Sequence, residues 1–418
     1  MRTMLRASAL VGVAAVVIAT MASPAIAAPG HVYVANSGSN SVSVVDPATG
    51  SVAGTIPVGA SPSSIVFTPD GARAYVSNTG SDTVSVLDTA TGAVVATIAV
   101  GDAPAGAAAT ADGTRVYVTN TGSGTVSVLD TATNTVTAII TVGGAPRAVA
   151  VTPDGTRAVA VPGPMVADNS PFGSHHTLSL IDTVANTASP IGDFATRNVP
   201  WDVDIAPDGS RAYVALGAST PGWFGGLFVL DLHSLSLSRL CGIGGEPPSI
   251  FTCINDVLQV ALSPDGGTAY ALRGNFISPL RIEVIDIATD TILATILFSH
   301  NDFLSVFFAR LALSSDGTRA YVSSPASDRV FVVDTVAYSV IGRIPVGSGP
   351  QGLAVQPARV TPGEEAPESD GDTAVLPSTK DQCKDGGHED FGFKNQGECV
   401  SFVVTGGKDQ PGKKSPKS

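Results

Sequence analysis

Ionisable residues that could bind or transform a ligand interrupt apolar segments between residues 202 and 310 of this 418-residue chain. Asp202, Asp204 and Arg310 stand where comparable segments carry small or apolar residues. Opposite charges in such surroundings indicate either a structural ion pair or a site that binds a ligand or a cation. The residue types alone leave both interpretations open.

Aromatic residues and histidines extend this candidate site. Both tryptophans of the chain lie in or near this region, as do His175, His176 and His300, among turn-forming polar residues. This mixture suits a surface that binds carbohydrate or protein, although the aromatic residues could instead fasten long loops to their scaffold. The candidate binding residues are Trp201, Asp202, Asp204, Gln259, Arg310, His175, His176, Trp223, His300 and Asp302.

No motif in the chain identifies a reaction. The histidines and aspartates have no spacing that forces metal ligation. There is no Gly-x-Ser-x-Gly nucleophile elbow and no phosphate-binding loop. We therefore assign no catalytic residues and expect neither a metal nor a cofactor.

A repeat of about 42 residues must position these side chains. Each unit holds four short β-branched runs broken by turn residues, which is the pattern of a four-stranded propeller blade. We name the four strands A to D, from the axis outward. The B strands begin near Tyr33, Tyr75, Tyr117, Val159, Tyr213, Tyr270 and Tyr321.

The order of the repeats predicts how the ring closes. The first B strand, at Tyr33, has no A strand before it, whereas the A-type run 352–356 has no B strand after it. We therefore predict that this run pairs beside Tyr33. The pairing would close an all-β, seven-bladed propeller and remove its open edge.

Alignment of the A strands places the charged residues near the axis. Six and four positions before the aspartate of the A–B turn, most residues are small. The exceptions are Asp202, Gln259 and Arg310 in the first set and Asp204 in the second. We expect these side chains to meet in the central channel.

Blades 4 to 6 are longer than the others. Their B strands are 54, 57 and 51 residues from the next one, against 42 in the first blades. We place the extra residues in the B–C and D–A connections, which emerge on the same face of a four-stranded meander. Long loops on a rigid scaffold are where binding residues usually lie, although drift in loop length is the alternative.

The strings Tyr33-Val34-Ala35-Asn36, Tyr75-Val76-Ser77-Asn78 and Tyr117-Val118-Thr119-Asn120 resemble the YVTN-repeat propellers, which include YncE-like periplasmic proteins and archaeal surface-layer proteins. The recurring Pro-Asp-Gly-x-Arg matches as well. The resemblance covers about residues 31–357 and implies the propeller fold without an activity. Blades 4 to 7 depart from it, because other residues replace the asparagine: Pro162, Leu216, Arg273 and Ser324.

The ends of the chain predict export and a second module. Residues 1–27 have the basic start, apolar stretch and small-residue cleavage site of a signal peptide, and no later segment is apolar enough to span a membrane. The propeller would occupy residues 28–358, an acidic proline-rich linker 359–379, a small cysteine-containing module 380–405, and a disordered tail 406–418. The module resembles short terminal segments of exported actinobacterial proteins.

The four cysteines form two local pairs, Cys241 with Cys253 and Cys383 with Cys399. Export favours disulfides, and local pairing is the simplest connectivity. A metal site is the weaker interpretation, because neither pair has the close spacing of zinc ligands.

These observations favour a non-enzymatic, monomeric binding protein that is secreted or attached to the cell surface. Its partner would be a protein or glycan of the cell envelope. The formal net charge of −13 argues against binding of nucleic-acid phosphates. The alternative is a lactonase-like or quinoprotein-like propeller enzyme with its site at the channel mouth, which would use Asp202, Asp204, Arg310 and the loop histidines.

Overall fold

The computed structural model describes residues 30–163, 176–194, 198–218, 226–240, 257–274, 280–298 and 309–358. The chain divides into two compact units, residues 1–359 and 360–418. The predicted signal peptide, linker, cysteine-containing module and tail lie outside the described residues, and so do all four cysteines. The inserted loops of blades 4 to 6 lie outside them too.

The described residues form seven four-stranded antiparallel sheets, each of which is one blade. In each blade the strands follow one another in the order A to D from the axis outward. Blade 1 comprises β28 (Pro350–Val355), β1 (Val32–Asn36), β2 (Ser41–Asp46) and β3 (Ser51–Pro57); blade 2, β4 (Pro62–Phe67), β5 (Arg73–Asn78), β6 (Thr83–Asp88) and β7 (Ala93–Ala99); blade 3, β8 (Pro104–Ala109), β9 (Arg115–Asn120), β10 (Thr125–Asp130) and β11 (Thr135–Thr141); blade 4, β12 (Pro146–Val151), β13 (Arg157–Pro162), β14 (His176–Asp182) and β15 (Thr187–Phe194).

The remaining three blades contain the residues that the alignment of A strands singled out as candidates. Blade 5 comprises β16 (Asn198–Ile205), β17 (Arg211–Ala218), β18 (Gly226–Asp231) and β19 (Leu237–Arg239); blade 6, β20 (Val257–Leu262), β21 (Thr268–Arg273), β22 (Arg281–Asp286) and β23 (Thr291–Leu297); blade 7, β24 (Leu311–Leu313), β25 (Arg319–Ser324), β26 (Arg329–Asp334) and β27 (Ser339–Pro345).

The hydrophobic core lies between neighbouring blades. The B-strand tyrosines Tyr33, Tyr75 and Tyr117 are fully buried. The Tyr33 ring of blade 1 packs edge-on against the Phe67 ring of blade 2, with 5.0 Å between the ring centroids. One cluster of buried residues therefore spans both blades. Each repeat buries its apolar face against the next, which is why the repeats form a ring.

The asparagine that ends the motif ties strand B to strand C. In blade 2 the buried Asn78 amide donates to the Ser85 hydroxyl at 2.9 Å and to the Thr83 hydroxyl at 3.1 Å. Gly59 of the preceding blade lies against this amide, where a Cβ would be 2.6 Å from the Asn78 side chain. The asparagine of the motif therefore packs against the chain that connects the two blades, and the position in contact with it must be glycine.

In blade 6, charged residues replace the asparagine contact between strands B and C. Arg273 replaces the asparagine, and its guanidinium donates to the Glu283 carboxylate at 2.9 Å. The Arg281 guanidinium donates to the same oxygen at 2.9 Å. Glu283 is almost fully buried, so both arginines compensate a charge that would be costly alone.

The predicted ring closure is confirmed. Strand β28 pairs antiparallel with β1, with Ala354 opposite Tyr33 and Gly352 opposite Ala35. Beyond the strand, the Gln356 N–H donates to the His31 carbonyl at 2.8 Å. The last described strand thus completes the first blade.

Removal of this closing strand should destabilise the propeller strongly. A chain that ends at residue 348 loses β28, including the buried Leu353. Strand β1 then keeps its pairing with β2 but has an open inner edge. Loss of one buried leucine costs about 2–5 kcal/mol, and 1 kcal/mol shifts the melting temperature of a domain this large by roughly 2–4 °C. We expect differential scanning calorimetry to show a melting temperature lower by about 10 °C or more.

A chain that ends at residue 359 is the control. It keeps every described strand and lacks only the second unit. We expect it to melt like the full-length protein. Similar melting of the chain ending at 348 would contradict the closure.

Candidate functional site

A cavity of about 630 Å³ lies on the axis of the ring. The A strands of all seven blades line it, so every blade contributes to its wall. Small residues such as Ala105 and Gly352 form part of the wall, whereas Arg147, Asp202 and Arg310 supply the charges. The structure therefore brings Asp202, Asp204, Gln259 and Arg310 together, as the alignment of A strands predicts, and it places Trp201 beside them.

A β-bulge recurs near the start of the A strands. In blades 1, 2, 4, 5 and 6 the pairing between strands A and B skips one residue, seven positions before the turn aspartate or its equivalent. A bulge redirects the side chain of the skipped residue. The skipped residues are Gln351, Ser63, Arg147, Trp201 and Leu258, and all except Leu258 line the cavity.

Arg147 and Trp201 are the two large side chains at these bulges. The Arg147 guanidinium carbon lies 4.3 Å from the centroid of the Trp201 ring, which is a cation–π contact between blades 4 and 5. Gly217 gives the indole its space, because a Cβ there would be 2.4 Å from Trp201 Nε1. Neighbouring bulges thus bring a guanidinium and an indole together at the end of the channel where the A strands begin.

The carboxylates of blade 5 hold the inner strand of blade 6. Asp204 Oδ2 accepts the Leu262 N–H at 2.9 Å, and its other oxygen accepts the Ile205 N–H at 2.9 Å. Asp202 Oδ2 lies 3.4 Å from the Val260 nitrogen, which donates to it. These oxygens satisfy backbone groups that face the axis.

Gln259 repeats this contact one blade further. Its amide nitrogen donates to the Leu311 carbonyl at 3.1 Å, and its amide oxygen accepts the Leu311 N–H. Arg310, beside Leu311, enters the cavity. The Arg310 backbone N–H donates to the Ser323 hydroxyl at 2.9 Å. Within the described residues, no ion pair shorter than 4.0 Å joins its guanidinium to Asp202 or Asp204.

Blades 1 to 3 satisfy the same backbone groups with small residues. The Thr119 hydroxyl donates to the Arg147 carbonyl at 3.2 Å and accepts the Gly106 N–H at 2.8 Å. A Cβ on Gly106 would be 2.6 Å from that Arg147 carbonyl oxygen, and one on Gly352 would be 2.5 Å from the Ser63 carbonyl oxygen. Inner strands without polar side chains therefore approach each other closely.

Burial shifts the pKa of every charged group in the cavity. It raises the pKa of Asp202 to about 7, assisted by the Asp204 charge and opposed by the Arg310 charge. Burial also raises the pKa of Asp204 to about 6, against the effect of the two N–H donors. The pKa of Arg147 falls to about 9, because of burial and the positive charge of Arg310.

The sequence analysis missed Arg147, which contacts Trp201 and interacts electrostatically with Arg310 and Asp202. Arg147 and Trp201 occupy the same repeat position, so an alignment at seven residues before the turn aspartate would have paired them. Among the predicted residues, His175, Trp223, His300 and Asp302 lie outside the described part of the chain. The backbone of His176 begins β14, and its side chain is outside the described part.

Within the described residues, no group of three or more His, Cys, Asp or Glu residues is arranged to hold a metal ion. The same ranges contain no helix that is long and apolar enough to cross a membrane.

Comparison with known proteins supports the resemblance seen in the motifs. A family model described as YNCE-like beta-propeller matches residues 4–105. The propeller is YncE-like. No curated protein sequence matches this YncE-like chain.

Solved structures share the fold at low sequence identity. A functionally unknown protein from Desulfotomaculum acetoxidans aligns with a TM-score of 0.62 and 17% identity, over 79% of this chain and 99% of that one. Kuenenia stuttgartiensis hydrazine synthase aligns at 0.55 and 20%, over 70% and 88%. The dihydro-heme d1 dehydrogenase NirN aligns at 0.52 and 18%, over 81% and 78%. At these identities the YncE-like chain shares their architecture only.

The raised pKa of Asp202 predicts how stability depends on pH. Burial disfavours the charged form, and the folded pKa of about 7 exceeds the ordinary 3.8. The wild type therefore loses stability as the pH rises through that interval. Asp202→Asn does not titrate. We expect the stability of this variant relative to wild type to increase from pH 5 to pH 8 by more than about 1.4 kcal/mol, the equivalent of one pKa unit.

Urea unfolding at each pH measures this difference, and Asp286→Asn is the matched control. The backbone N–H and the hydroxyl of Thr289 donate to that turn carboxyl and lower its pKa. Its contribution is therefore constant between pH 5 and pH 8. The same pH dependence in both variants would refute the assignment to Asp202.

Proposed function

We propose that this protein is an exported binding protein that holds its ligand at the mouth of the central channel, on the face where the B–C and D–A connections emerge. The Arg147–Trp201 pair carries the proposal. It lies at this mouth, between blades 4 and 5, where the sequence places the longest connections.

The chemistry of the pair supports recognition. Tryptophan and arginine are the residue types that most often dominate the free energy of a binding interface. The cavity beside them, about 630 Å³, has the size of typical small-ligand sites. Asp204, by contrast, already accepts two backbone N–H groups, so its role in joining the blades is structural.

The cellular setting of the proposal rests on the sequence. The signal-peptide pattern of residues 1–27 supports secretion, with the protein in the medium or at the cell surface. A protein or glycan of the cell envelope is the corresponding partner. We propose that the chain acts as a monomer and binds no nucleic acid.

Loss of Trp201 tests this function. We expect the purified protein to sediment with cell-envelope fragments of the producing organism in a saturable manner. Because truncation of a central aromatic residue commonly costs 2 kcal/mol or more, Trp201→Ala should weaken this binding by about tenfold or more. Trp201→Phe, which keeps an aromatic ring beside Arg147, should restore part of it.

The control for this experiment is Val184→Ala. Val184 is 81% exposed in the C–D turn of blade 4, on the opposite face. Its replacement should leave binding unchanged, and calorimetry should show folded protein for each variant. Equal losses in the Trp201 and Val184 variants, or no sedimentation at all, would refute a ligand site at the channel mouth.

One observation favours the enzymatic alternative. A carboxyl group with a pKa of about 7 inside a cavity suits a general acid or base, and Asp202 is such a group. A lactonase-like activity would add water to the ester carbonyl of a lactone and break its ring C–O bond. Hydrolysis of dihydrocoumarin that disappears in Asp202→Asn would support this alternative, whereas equal rates in both proteins would exclude Asp202 from such a reaction.

A further inference from the structure

We propose that a groove between blades 3 and 4 binds the carboxamide side chain of an asparagine or glutamine in a partner polypeptide. The groove has a volume of about 410 Å³. It shares no lining residue with the central cavity, so the inference goes beyond the proposed function and is independent of it. The wall of the groove includes Thr141, Gly143, Pro162, Thr177, Ser179 and Ser189.

Blades 2 and 3 show what fills the equivalent space in a regular repeat. In blade 3 the Asn120 amide nitrogen donates to the Thr125 hydroxyl at 3.0 Å and to the Ser127 hydroxyl at 2.9 Å. Asn78 makes the same two contacts in blade 2. The glycine of the preceding connection closes the space, because a Cβ on Gly101 would be 2.7 Å from the Asn120 side chain. A regular joint is thus a carboxamide held by two hydroxyls of strand C.

Blade 4 keeps the hydroxyls of this joint and lacks the carboxamide. Thr177 and Ser179 stand at the two hydroxyl positions of strand C, whereas Pro162 stands at the asparagine position of strand B. Gly143 occupies the glycine position, and no described atom lies within 4 Å of a Cβ placed on it. The space that an amide fills in blades 2 and 3 is therefore open in blade 4.

The proline explains why strands B and C separate at the groove. In blade 3 they pair as far as Asn120 and Thr125, whereas in blade 4 the pairing ends two residues earlier, at Ala160 and Ser179. Proline has no N–H with which to continue a ladder. The buried Ser179 hydroxyl donates to the Val142 carbonyl of blade 3 at 2.8 Å. Its oxygen can still accept a hydrogen bond from a ligand, as its counterpart in blade 3 accepts one from the asparagine.

The regular joint defines the ligand chemistry of the open one. The asparagine nitrogen donates to two hydroxyls at once, so the matching ligand group is a primary amide with two N–H donors. None of the described residues that line the groove has a charged side chain, which suits a neutral group. Among protein side chains only asparagine and glutamine carry a primary amide. The acetamido group of an amino sugar has one N–H and matches less well.

Titration of the full-length protein with capped glutamine, N-acetyl-L-glutamine methylamide, tests the proposal by heteronuclear NMR. We expect saturable shifts of the backbone amide signals of Gly143 and Gly144, which line the groove. Capped methionine has a side chain of similar length without N–H donors. It should bind at least about tenfold more weakly, because it cannot form the hydrogen bonds to the two hydroxyls.

Two variants alter the groove in different ways. Pro162→Asn should restore the regular joint, so its own amide fills the groove and weakens the binding of capped glutamine by about tenfold or more. Ser179→Ala removes one acceptor and should weaken this binding about fivefold. Ser85→Ala is the matched control, since it makes the same change at the same repeat position of blade 2, outside the groove. It should leave the binding unchanged.

Three results would overturn the inference: no saturable shift at the two glycines, equal binding of capped methionine, or undiminished binding by both groove variants. N-acetylglucosamine that binds as tightly as capped glutamine would assign the groove to an amino sugar and would also overturn the polypeptide partner. Trp201→Ala should leave the binding of capped glutamine unchanged. Failure of the groove and failure of the site at the channel mouth are therefore observed separately.

Discussion

The inner edge of each blade is the constraint on which the rest of the structure depends. Strand A has a partner on one side only, so its free N–H and C=O groups face the axis of the ring. Unsatisfied backbone groups in a buried position cost about 1–3 kcal/mol each. The side chains that neighbouring blades direct at these groups are therefore part of the fold before they are part of any site.

The two halves of the ring meet this constraint differently. Blades 1 to 3 use threonine and glycine, and their inner strands come close together. Blades 5 and 6 use Asp204 and Gln259, which reach across to the next strand. The charged residues of the cavity wall, Arg147, Asp202, Asp204 and Arg310, all belong to blades 4, 5 and 7. The chemical asymmetry of the cavity is thus a by-product of how the blades are joined.

Much of the fold follows from the sequence because the repeat fixes both pairing and burial. The B-strand tyrosines, the spare A strand and the turn aspartates identify seven blades and the closing pair without reference to coordinates. Only part of the site could be predicted from the sequence. Asp202, Asp204 and Gln259 attract attention as polar residues at positions that are otherwise small.

Arg147 could not be predicted, because the alternation of side chains along a strand would direct it away from the channel. Residues at odd and even positions of a strand point to opposite sides, so a residue seven before the turn should point away from those six and four before it. The recurring bulge cancels this rule at one position. The residue types do not predict this bulge. Trp201 was a candidate only because tryptophan is rare in the chain.

The pairing of the last strand with the first has a consequence for how the protein is made. Tyr33 and Ala354 are roughly 320 residues apart in sequence, so their contact closes one of the longest loops the chain can form, and such contacts form slowly. While the polypeptide emerges from the ribosome in order, strand β1 must wait with an unoccupied edge until almost the whole propeller has been synthesised. The nascent chain therefore remains an open ring, and its completion coincides with the appearance of β28.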